Sequence, residues 1–144
     1  MSGTTWRVGP ATSAAQLAAT IVFADTGPAN SRVRLYSTAR PTVPGDHSDT
    51  PMATVVLAKP CATVAGGVLT LHPLDTDGTL VMSTGLPRWG EWFNGAGVLV
   101  LDGSVTDEAN GGDFTVAGGA TPPGETSPLL QAGGLVLLGA TALT

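Results

Sequence analysis

The chain has 144 residues, twenty glycines, eleven prolines, one cysteine and a net charge of −5, enough length for one hydrophobic core without a metal or disulfide to staple it. Its six basic residues are scattered and outnumbered by eleven acidic ones, which excludes the clustered positive charge that displaces counterions from phosphates, so no nucleic-acid partner is expected. Cys61 alone cannot close an intramolecular disulfide and is expected as a buried, inert thiol, while a charged fraction of only 12%, about half the usual share, describes a surface suited to lasting association.

Residues 1–144 read as a single domain, with a helix near 13–25 and a β-sandwich over 31–144. Ser13 and Gln16 have the spacing of a capping box. Ala14, Leu17, Ala18, Ile21 and Val22 then recur at helical spacing and predict one buried stripe. Gly27-Pro28 stops the helix. Residues 17–24 are apolar, but no basic region precedes them, so a helix of the folded domain is expected there in place of a secretory leader.

From Ser31 the period becomes two. In Arg32-Val33-Arg34-Leu35-Tyr36, Val33 and Leu35 share one face and Arg32, Arg34 and Tyr36 the other, which predicts a half-buried strand with the second set turned outward. Residues 39–51, with three prolines and Gly45, are expected as a surface loop whose His47, Asp46 and Asp49 are solvated. Strands are expected over 52–58 and 61–72, the latter split by a hairpin turn at Ala65-Gly66-Gly67 where glycine permits positive φ. Further strands are expected over 79–83, 88–93, 98–101, 113–117 and 135–143, with Asn94-Gly95-Ala96-Gly97 as a hairpin loop. About eight strands and one short helix predict an all-β, jelly-roll-like antiparallel sandwich. The run 134–139 puts Leu135 and Leu137 on one face and Val136 and Leu138 on the other, so both faces are expected to be covered by the fold or by a neighbouring subunit.

No constellation for chemistry emerges. His47 sits in the proline-rich loop and His72 at a strand end, where a backbone bond is expected, and neither accompanies a nucleophile motif. Asp75-Thr76-Asp77-Gly78 opens like a calcium loop, but the twelfth position is Leu86 and offers no oxygen, so an Asp-Gly turn is expected and no metal. Asp102, Asp107, Glu108 and Asp113 read as solvated loop carboxylates. Glu91 lies between Trp89 and Trp92, a combination found in sugar-binding strands. Trp89 and Glu91 share a face with Trp92 opposite, and no second carboxylate pairs with Glu91, so core or interface tryptophan is expected at both positions. Neither enzyme activity nor cofactor is expected. The uncharged run 126–144, interrupted by glycine and proline and without basic anchors, predicts no membrane span.

Three segments together resemble a known class: Trp6-Arg7-Val8-Gly9-Pro10 leading into the Ala-rich helix, Leu86-Pro87-Arg88-Trp89-Gly90-Glu91-Trp92, and Ala132-Gly133-Gly134-Leu135-Val136-Leu137-Leu138. The arrangement resembles small virion proteins of tailed bacteriophages, most nearly the jelly-roll capsid cement proteins of short-tailed phages. The resemblance implies a non-enzymatic decoration protein, assembled in the host cytoplasm, that binds the major capsid protein on the outer surface of the head and bridges its capsomers. A homodimer is the expected assembly, with a trimer as the alternative. A tail, adaptor or fibre component is the alternative role, and a carbohydrate-binding module a further one. Arg32, Arg34 and Tyr36 are the candidate docking residues. Trp89, Trp92, Leu135 and Leu137 are candidates for the core or an interface.

Overall fold

In the computed structural model, which describes residues 7–139, helix α1 spans Pro10–Ala24. It begins three residues ahead of the predicted capping box, because Gly9 is the N-cap and Pro10 supplies a φ already suited to the first turn. The Ser13 N–H donates to Gly9 O at 2.9 Å, so Ser13 is already inside the helix. The stripe is narrower than its pattern: Leu17 and Ile21 pack on the core and Ala24 is buried, whereas Ala18 and Val22 are exposed.

Eight strands follow: β1 (Arg32–Tyr36), β2 (Ala53–Ala65), β3 (Val68–Pro73), β4 (Thr79–Leu80), β5 (Trp89–Phe93), β6 (Leu99–Thr106), β7 (Phe114–Ala117) and β8 (Leu135–Leu138). They form one sheet in the order β3-β2-β1-β5-β6-β7-β8-β4. The sheet curls on itself, and the Met82 N–H beyond β4 donates to Met52 O at the start of β2 at 2.7 Å. The fold is thus all-β with one helix. The part of the 135–143 segment beyond Gly139, and Trp6, lie outside the described residues.

β2 serves two neighbours. Its first half pairs with β1 and its second with β3, and the register shifts between Leu57 and Ala62. The β2–β3 hairpin turns on Gly66 and Gly67, at φ 59° and 76°, the left-handed conformations that a two-residue turn requires. One pair, β6 with β7, is parallel. Only two residue pairs match there, so the chain has little distance to return. A 3₁₀ turn over Glu108–Asn110, capped by Asp107 and released through Gly111 in the left-handed region, closes the gap.

The inner face carries Val33, Leu35, Val55, Leu57, Trp92, Val105, Phe114 and Val136 around the buried Cys61. Trp92 donates its indole N–H to Ser31 Oγ at 2.6 Å, and Ser31 donates onward to Phe93 O at 2.7 Å. This relay satisfies the polar end of a fully enclosed tryptophan.

Candidate functional site

Opposite that core, on the outer face of β1 and β5, register places Arg34 against Glu91 and Tyr36 against Trp89. Strand alternation alone puts these four on one face. Residues 37–52 fold over them. Arg40 forms an ion pair with Asp102 of β6 that ties the segment to the sheet, and Thr38 Oγ1 donates to Asp49 Oδ2 at 3.0 Å, drawing the two ends of the segment together.

His47 enters the face from above. Its ring lies edge-on to Tyr36 and Trp89 at centroid distances of 5.0 and 4.9 Å, while Tyr36 and Trp89 stack at 4.3 Å. The Asp49 N–H donates to His47 Nδ1 at 3.1 Å, which assigns the ring hydrogen to Nε2, and Nε2 lies 2.8 Å from Glu91 Oε1. Tyr36 donates its phenol hydrogen to the same oxygen at 2.7 Å. Glu91 is therefore a carboxylate 1% exposed, with two donors on Oε1 and no hydrogen-bond partner on Oε2. Burial first, and then the Glu91 carboxylate, drive the Tyr36 phenol far above its ordinary range, with Arg34 acting in opposition.

Beside this cluster is a cleft of about 300 Å³, bounded by Arg34, Tyr36, His47, Ser48, Asp49 and Glu91 among others. The Arg34 guanidinium lies 4.7 Å from the centre of the Phe93 ring at one side. Among the described residues no ion pair joins Arg34 to Glu91, although they are register partners. Both nitrogens of His47 are engaged in hydrogen bonds.

Tyr36, expected outward as a docking residue, is 1% exposed: the loop buries the face that alternation left open. Arg32 and Arg34 are half-buried on the same face. His47 and Asp49, expected to be solvated, instead help roof the site. Trp89 and Trp92 are buried on opposite faces, as expected. Leu135 and Leu137 are 51% and 43% exposed, while Val136 between them is buried, so among the described residues only one face of β8 is covered. His72 meets the Thr63 hydroxyl at 2.9 Å in place of a backbone group. Three of the acidic residues expected to be solvated are engaged: Asp113 accepts from the Ser104 N–H at 3.0 Å, Asp107 accepts from the Asn110 N–H at 2.9 Å, and Asp102 pairs with Arg40. Hydrogen bonds, chiefly from Thr121 and Asn110, hold the Asp107 carboxyl below its usual range.

No family model, no curated protein and no solved structure matches this chain. The missed residue was His47, for which no periodicity speaks. Glu91 did leave a signal, because a carboxylate inside the apolar run Trp89-Gly90-Glu91-Trp92-Phe93 needs buried donors.

Proposed function

We propose that the chain is a structural protein of a bacteriophage virion, a capsid cement protein that binds the major capsid protein on the outside of the head. The observation that carries a protein-contact role is an apolar outer face at β4 and β8. Leu80 and Leu135 are register partners there, Leu135 and Leu137 flank Gly78, and Leu74 shares with Leu80 a groove of about 310 Å³. Leu74, Leu80, Leu135 and Leu137 are 60%, 51%, 51% and 43% exposed. Single exposed leucines are ordinary, but a contiguous set is a mark of a surface that another protein covers. The likeness of three sequence segments to cement proteins supplies the capsid as partner, and the same face fits self-association of this chain.

The test is binding of the purified protein to capsids assembled without it. Occupancy in proportion to capsomers, with a rise in capsid melting temperature, supports the proposal. Binding confined to one vertex would instead indicate a tail or adaptor position. Absence of any effect on capsid heat stability removes the cement role.

A further inference from the structure

The cleft over Glu91 lies on the β1–β5 face, beside the groove that Leu74 and Leu80 share with Thr54 and Val56 of β2, the register partners of Arg34 and Arg32. Its volume of about 300 Å³ is at the small end of ligand sites, room for one small molecule or one unit of a longer chain. Its walls mix charges of both signs. Arg34 offers only donors, and the Glu91 and Asp49 carboxylates only acceptors.

Among the described residues these charges do not pair directly. Arg34 is opposite Glu91 in register but lies over Phe93, and Glu91 Oε2 is buried with no donor. A buried acceptor left empty costs about 1–3 kcal/mol, so a donor brought in between the loop and β5 would be favoured. An anionic ligand would meet Glu91 and Asp49, and a cation would meet Arg34. A neutral polyhydroxy ligand meets each group with usable polarity, because every hydroxyl both donates and accepts.

We infer that this cleft binds one unit of a neutral saccharide, whose hydroxyls donate to the Glu91 and Asp49 carboxylates and accept from the Arg34 guanidinium. Tyr36 and His47 position Glu91 through its other oxygen. The site would give the protein an affinity for neutral glycans next to the proposed protein-contact face.

Titration of the isotope-labelled protein with glucose, galactose, mannose and N-acetylglucosamine, followed by amide chemical shifts, tests this. The expected result is saturable shifts at residues 47–49 and 90–93 with at least one sugar, at an affinity on the order of millimolar for so small a ligand. Asp49→Asn and Arg34→Gln, both at half-buried positions outside the core, should each weaken binding about tenfold, the loss of one charge-assisted hydrogen bond. Retained melting temperature shows that those variants fold, so the test does not depend on Glu91→Gln. No saturable shift with any of the four sugars overturns the inference, as does unchanged binding by both variants. Saturable binding of glycine or glucuronate with no response to the neutral sugars would also overturn it, because it would assign the cleft to a zwitterion or an anion.

Discussion

His47 Nε2 and Glu91 Oε1 stand 2.8 Å apart although 44 positions separate them in the chain, and that contact fastens an aperiodic loop to the outer face of the sheet. Replacing His47 with Ala removes one donor from a buried carboxylate, a loss of about 1.5–3 kcal/mol when the hydrogen bond is to a charged group. Urea denaturation should show this for His47→Ala. Because Tyr36 shares the same acceptor, His47→Ala and Tyr36→Phe should be non-additive, with a coupling of about 0.5–3 kcal/mol in a double-mutant cycle. Simple additivity would mean that the two donors act separately.

Alkaline pH should unfold the protein. Burial and the Asp25 carboxylate push the Cys61 thiol from its ordinary 9.0 up to about 12, and the Tyr36 phenol is raised from 10.0. Both groups are neutral when protonated, so their contribution is complete below pH 9. Above pH 9 the unfolded chain releases the Cys61 proton first and stability falls. Above pH 10 Tyr36 adds to the decline, at about 1.4 kcal/mol per pH unit for each group. Denaturation midpoints measured across this range should therefore steepen in their descent beyond pH 10, and Cys61→Ala should flatten the first part.

Ser31→Ala breaks the relay from Trp92 to Phe93 O. It leaves a buried indole N–H without an acceptor, which costs about 1–3 kcal/mol. The loss should appear in denaturant titrations followed by tryptophan fluorescence, with the outer-face cleft unaffected.

Leu80→Ser with Leu135→Ser should abolish self-association and leave the fold intact, because both side chains are half-exposed and contribute little to the core. Sedimentation of the wild type as a monomer at high concentration would contradict the role of this face in self-association.

Much of the architecture could be read where local chemistry decides it. Gly66-Gly67 and Asn94-Gly95-Ala96-Gly97 made turns as their residues demand, with Asn94 Oδ1 accepting the Ala96 and Val98 N–H groups at 3.0 and 2.9 Å. Gly66→Ala should accordingly cost about 1–2 kcal/mol in its left-handed position. The face of Tyr36 was legible but its burial was not. Alternation tells which residues share a side, while the cover comes from residues 37–52, which carry no strand or helix period. The helix start was misplaced because two local signals competed, and the preset φ of Pro10 prevailed over the hydroxyl of Ser13. The cleft was only half legible, since Glu91 announces a need for donors and the sequence does not say that a loop histidine supplies one.

The pairing of β1 with β5 also bears on the speed of folding. The hairpins β2–β3 and β5–β6 join neighbours along the chain and can form early. The seam between them joins Arg32 to Phe93 and Tyr36 to Trp89, and it closes only after a long intervening stretch has been gathered in. Loop-closure entropy must be met before that seam returns any contact energy. Folding should therefore be governed by non-local encounters, this seam and the similarly distant pairing of β4 with β8, and take milliseconds to seconds, as in other domains rich in non-local strand pairs. Substitutions at the seam, such as Val33→Ala, should slow refolding, whereas those in the β2–β3 hairpin should mainly hasten unfolding.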